Sequence, residues 1–125
     1  MGNFWIRQVP SGYKFHLKAA NGETIAVSES YSSAAQCRRG LERLGKIAPD
    51  AKLEDLTGEG EKPVSNPKFQ LYGDKSGHFR FRLRSRNGEI IASSQPYTTK
   101  AACLAGIESV RINAPTAAES PVEME

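Results

Sequence analysis

The chain has 125 residues, of which 25% are charged and 38% hydrophobic, and a formal net charge of +3. It holds no apolar run long enough to cross a bilayer, and Met1–Val9 has neither the basic start nor the apolar stretch of a secretory signal, so a cytoplasmic protein is expected. The length suits one compact domain or two very small ones.

The first predicted element is a strand at Phe4–Gln8, where Phe4 and Ile6 share a face by the period of two. A turn at Pro10-Ser11-Gly12 leads to a second strand with Tyr13, Phe15 and Leu17 on one side and Lys14, His16 and Lys18 on the other. That is the alternation of a half-buried antiparallel strand. Asn21-Gly22 predicts a two-residue type I′ hairpin, and Glu23–Ser28 the return strand, with Ile25 inward. Ser33 reads as an N-cap and Gln36 as the partner in a capping box. Cys37, Leu41, Leu44 and Ala48 then recur at helical spacing, and Pro49 stops the helix. Gly40 lies inside the helix, where it costs about 1 kcal/mol relative to Ala; its retention implies a close approach to the sheet or to another helix. A fourth strand follows at Ala51–Leu56, with Leu53 inward.

The same order then repeats. Residues 13–51 and 79–117 align without a gap at an offset of 66, with Asn87-Gly88-Glu89, Ile91-Ala92, Tyr97, Cys103, Gly106 and Ala114-Pro115 matching their counterparts. The expected organisation is a first unit at 1–57, a flexible linker at 58–67, a second unit at 68–122 and a disordered tail at 123–125. Each unit is about 50 residues, near the size at which an isolated core becomes marginal, so the two are expected to share one core. Cys37 and Cys103 fall in the apolar stripes of their helices, where free cysteine behaves as a small hydrophobe. In the second copy's last strand Glu119 replaces Leu53, and Pro121 removes a ladder donor. That strand is therefore expected to be frayed or confined to an edge.

The combination N-G-E-[IT]-I-A, S-x-x-Y-[ST]-[ST], G-[LI]-E and A-P-x-A, present twice, resembles the YegP-like family of small bacterial proteins of uncharacterised function. The resemblance implies an α+β fold in which tandem β3-α-β repeats form one pseudo-twofold antiparallel sheet. Two helices pack on one face, and the last strand of each repeat is exchanged into the other half. It supplies no catalytic residues, and internal pairing of this kind implies a monomer.

What recurs in both copies is turn-forming or apolar, so function is sought where the copies differ. The two histidines, His16 and His78, do not correspond. Glu23/Glu89 and Glu42/Glu108 are accounted for by turns and helix pairs. No nucleophile, metal set or phosphate-binding glycine loop converges, so neither an enzyme nor a cofactor is expected. The sharpest feature is Arg80, Arg82, Arg84 and Arg86, which share a face if the second strand runs that far; Lys14, His16 and Lys18 occupy the first three equivalent places. Two basic stripes on one open sheet face predict docking of an anionic partner, nucleic acid or an acidic protein. Trp5 and Tyr72 on that face would add stacking. The acidic tail residues Glu119, Glu123 and Glu125 are positioned in sequence to fold back on it. The alternatives are a solvated face on a structural or stress-related interaction protein and, last, an undetected small-molecule enzyme.

Overall fold

A computed structural model describes residues 2–58, 63–119 and 123–124. The first repeat supplies β1 (Asn3–Val9), β2 (Gly12–Lys18), β3 (Thr24–Ser28), α1 (Ala34–Ile47) and β4 (Lys52–Asp55). The second supplies β5 (Lys68–Gly73), β6 (Phe79–Arg84), β7 (Ile90–Ser93), α2 (Lys100–Asn113), a 3-10 turn at Ala114–Thr116, β8 (Ala118–Glu119) and β9 (Glu123–Met124). All strands belong to one sheet in the order β4-β5-β6-β7-β3-β2-β1-β8, with β9 also on β1.

The two meanders join through β3 and β7, which run antiparallel with Val27 opposite Ser93. These two residues are repeat equivalents, so the pseudo-twofold axis passes through their pair. Each helix packs on its own repeat and reaches across the axis, α1 to β7 and α2 to β3. Phe4, Ile6, Phe15, Leu17, Phe69, Leu71, Phe81 and Leu83 consequently share one buried cluster with Leu41, Leu44, Ile107 and Val110. Neither half has a core of its own, as its size requires.

Both last strands are exchanged. β4 leaves the first repeat and pairs parallel with β5, Leu53 beside Phe69; β8 pairs parallel with β1, Glu119 beside Phe4. The exchanged strands make the sheet mixed at its margins while its interior stays antiparallel. The second exchange thus forms despite Glu119 and Pro121. Pro121 lies outside the described residues. Contrary to the expectation of a disordered tail at 123–125, Glu123 and Met124 form β9 on β1; residue 125 lies outside the described residues.

Local details differ from the sequence reading in four places. The hairpins at Asn21-Gly22 and Asn87-Gly88 are not type I′ turns, because among the described residues none other than glycine has positive φ. Gly22 N–H donates to Ala19 O and Ala19 N–H to Glu23 O, and the second copy repeats this at Ser85, Gly88 and Glu89. The loop therefore has three residues, a turn closed by glycine at φ +85° or +88°, the three-residue alternative with a bulge. A second irregularity follows, since Leu17 pairs with Ala26 but Lys18 with Thr24, leaving Ile25 as an extra residue; Ile91 repeats this. The bulge is why Ile25-Ala26 and Ile91-Ala92 are buried as consecutive pairs, which strict alternation forbids.

Gly40 is kept for neither sheet backbone nor a second helix. A Cβ there would lie 2.3 Å from Tyr31 Oη, and one at Gly106 would lie 2.4 Å from Tyr97 Oη. Each tyrosine sits in the strand-to-helix connection, tied by a bridge to Tyr13 or Phe79, and its ring stacks on Phe15 or Phe81. Ser33 and Thr99 do cap the helices, accepting from Gln36 N–H and Ala102 N–H. Gln36 Oε1, however, accepts from Ser32 Oγ rather than from the N-cap backbone. Finally, Leu53 is on the core side of an edge strand and stays 39% exposed, while Glu54 is buried. Both cysteines are buried free thiols, and burial pushes Cys103 up to about 11, far from a reactive thiolate.

Candidate anion-binding site

Since Phe15, Leu17, Phe81 and Leu83 face the helices, strand alternation puts Lys14, His16, Lys18, Arg80, Arg82 and Arg84 together on the opposite, helix-free face. Both basic stripes are thus on one surface. The strand does not run to Arg86: β6 ends at Arg84, and Arg86 is exposed in the following hairpin loop.

The arginines of β6 are held by their own repeat. Arg80 Nε donates to Asp74 Oδ2 at 3.0 Å. Asp74 also accepts from Ser76 N–H and His78 N–H, and the His78 backbone bond, with Arg80, lowers its pKa. Arg82 Nε and Arg84 Nε both donate to Gln70 Oε1, at 2.7 and 2.6 Å, and Arg84 also reaches Gly88 O. Gln70 Nε2 in turn donates to Glu54, which accepts from Val64 N–H and pairs with Lys68 at 3.0 Å. The Gln70, Val64 and Lys68 hydrogen bonds hold the Glu54 carboxyl at about 2. The latter part of the expected linker is therefore tied down onto the open face at Val64; residues 59–62 lie outside the described residues.

Two aromatics share this face with the cations. Lys18 Nζ lies 4.5 Å from the Trp5 ring centre, and the Arg82 guanidinium lies 4.5 Å from that of Tyr72. Each ring is thus partly capped by a cation, a contact worth about 0.5–1 kcal/mol at exposed sites.

The groups that converge are at the pseudo-twofold axis. A groove of about 450 Å³ there is lined by Arg7, Lys14, His16 and Arg80 around Val27 and Ser93, with Glu29 its one carboxylate among the described residues. Lys14 and Arg80 are repeat equivalents on opposite sides of the axis. Arg7 lies directly across from Lys14 in the β1–β2 pairing. Like charges directly opposed on a sheet repel, so the two cations concentrate positive potential at one wall of the groove. The tail reaches the same place, with Glu123 in register with Arg7 on β1's other side. Arg7 escaped the sequence reading because its repeat counterpart is Tyr72, although alternation with Phe4 and Ile6 already assigned it to the open face. Among the described residues no cluster of His, Cys, Asp or Glu is arranged to hold a metal ion. The groove gathers cationic side chains, among them guanidinium forks whose geometry suits bidentate contacts.

Comparison with known proteins follows the architecture. A family described as a domain of unknown function (DUF1508) matches twice, at residues 11–55 and 74–119. A UPF0339 protein from the 5′ region of the ptx operon of Stutzerimonas stutzeri is 52% identical over 117 residues, covering 93% of this chain and 92% of its own. A UPF0339 protein of Treponema denticola is 63% identical over 51 residues, which cover 41% of this chain and 88% of that protein, a single copy of the unit. The solution structure of YegP from Escherichia coli, a protein of unknown function, superposes with a TM-score of 0.77 at 28% identity, covering 99% of this chain and 92% of that one.

Proposed function

The chain belongs to the DUF1508 family, and from that premise and the shape of its open face we propose that it is a non-catalytic binding domain, acting as a cytoplasmic monomer, that docks single-stranded nucleic acid. The observation that carries this reading is the groove on the pseudo-twofold axis, where Lys14 and Arg80 from the two repeats stand beside Arg7 and His16. Trp5 and Tyr72 on the same face favour nucleic acid over an acidic protein, because stacking surfaces beside a cationic groove are what unpaired bases require. An open β-sheet face is also the platform on which small RNA-binding domains splay bases.

The test is a fluorescence-anisotropy titration of a labelled single-stranded oligonucleotide. With three or four phosphates neutralised, affinity is expected to fall roughly 15- to 60-fold between about 50 and 200 mM salt. Absence of binding at the lower salt overturns the proposal, and retention of an acidic polypeptide in place of the oligonucleotide reassigns the face to a protein partner.

A further inference from the structure

On the opposite side of the molecule, the last turn of α1 faces the β6–β7 hairpin across a depression of about 440 Å³. Ile47 and Pro67 give it apolar surface, and Arg43, Lys46, Arg86 and Asp50 surround it. The internal repeat supplies a control for this site. At the equivalent positions the other half of the molecule carries Ser109 for Arg43, Ile112 for Lys46, Ala20 for Arg86 and Thr116 for Asp50. Every charged side chain of the depression is therefore absent from the equivalent place in the sister repeat. The equivalent corner is also narrower at one point: Asn113, which replaces Ile47, packs so close to Gly2, the counterpart of Pro67, that a Cβ on Gly2 would lie 3.0 Å from Asn113 Cβ. The sister corner sets Asn113 against Gly2 and carries none of these charges, so the charges here are not a requirement of the architecture.

Helix dipoles account for part of the arrangement, since cations are favoured beside a helix C-terminus. They do not account for Arg86, which comes from the other repeat's hairpin. The carbonyls just past the α1 C-terminus are moreover already served by Arg111, whose Nη1 reaches Ala48 O and Pro49 O at 3.4 and 3.3 Å. Arg43 pairs with the exposed Glu89 at 3.9 Å and also interacts with the Tyr31 hydroxyl, so the anion falls to the other two cations. Lys46 and Arg86 have no ion pair among the described residues. Three cations, one carboxylate and an apolar floor in a concave site of this size match a small molecule with an anionic head and an apolar body.

We propose that this depression is a second binding site, separate from the groove on the open face, for a small phosphorylated or carboxylated molecule with an apolar or aromatic body. Lys46 and Arg86 hold the anion, and Ile47 and Pro67 receive the body. The probe is phenyl phosphate, followed by amide chemical shifts, with inorganic phosphate in parallel. Saturable shifts are expected at Lys46, Ile47 and 85–87, with weaker saturation by inorganic phosphate because the apolar contact is lost. The variant Lys46→Ile/Arg86→Ala installs the residues that the sister repeat tolerates at the same places. It is expected to keep the wild-type denaturation midpoint and lose at least about tenfold in affinity, one lost charge-assisted contact being enough for that. No saturable shift in the wild type, shifts confined to the Lys14–Arg80 groove, or undiminished binding by the variant overturns the proposal. Failure of the oligonucleotide titration leaves it standing, since the two sites share no residue.

Discussion

Gly40 and Tyr31 make up one device, and their coupling can be measured. Replacing Gly40 by Ala should stabilise an exposed helix by about 1 kcal/mol. Here the new Cβ would lie 2.3 Å from Tyr31 Oη and 2.6 Å from Cζ, so the ring must retreat by about 1 Å to reach ordinary van der Waals contact. It has little room to do so. Tyr31 N and O both bond to Tyr13, at 2.7 and 2.8 Å, and the ring is stacked on Phe15 with centroids 6.4 Å apart. Overpacking of this kind costs about 1–3 kcal/mol, which outweighs the helical gain, so Gly40→Ala is expected to destabilise by up to about 2 kcal/mol. In a Tyr31→Ala background the obstruction is gone and the same change should stabilise by up to about 1 kcal/mol. The coupling between the sites is therefore about 1–3 kcal/mol, read by urea denaturation of the four proteins in the cycle. An effect of Gly40→Ala with the same sign and size in both backgrounds would refute the reasoning.

Ser28→Ala should cost about 1–3 kcal/mol, because Ser28 Oγ, which is buried, is the acceptor for Phe15 N–H at 2.9 Å; Ser94→Ala should match it through Phe81 N–H. Chemical denaturation of the two variants checks both. The buried Glu54 carboxyl, held at about 2 against 4.5 for the free group, contributes stability that is complete above pH 4.5 and is lost as pH falls from there towards 2. The same denaturation series in Glu54→Gln should show a shallower decline over that window, and an unchanged decline would remove Glu54 from the account. Asp55 behaves in the same sense: burial alone would raise its pKa, but Lys100 and Thr57 outweigh it and bring it to about 2. Asp55→Asn should therefore loosen the tie between β4 and the start of α2, exposing the Leu56 N–H to Leu71 O bond to faster hydrogen exchange.

The repeat made much of the fold legible. Phe15-x-Leu17 and Phe81-x-Leu83 announce a half-buried strand, and Ser33 and Thr99 announce helix starts, because these signals are local. The misreadings come from contacts that are not. Asn-Gly marks a turn but not its length, which here is set by the bulge at Ile25 and Ile91 needed to bury two consecutive residues. Gly40 reads as a helix defect until Tyr31, nine residues earlier, is placed against it. Glu54 looks like a solvent-facing edge residue, yet the chain at Val64 and the side chains of Gln70 and Lys68 enclose it. The candidate site was partly legible for the same reason. Alternation placed Lys14, His16 and the β6 arginines on one face, but only the pairing of Val27 with Ser93 brings Lys14 and Arg80 to one groove. Most of the arginine stripe proves to be anchored by Asp74 and Gln70, which alternation alone does not reveal.

Lys14→Glu separates binding from folding at the groove. Lys14 has no ion pair among the described residues and faces Arg7 across the sheet, so the reversal replaces a like-charge pair with an opposite-charge pair and is expected to leave stability unchanged or raise it by about 0.2–1 kcal/mol. Oligonucleotide affinity at low salt is expected to fall at least about fivefold, while Arg39→Glu, the same charge change on the exposed side of α1, leaves it within about twofold. A Lys14→Glu protein that folds as well as the wild type and binds no more weakly than Arg39→Glu would contradict the assignment of the open face as the nucleic-acid site.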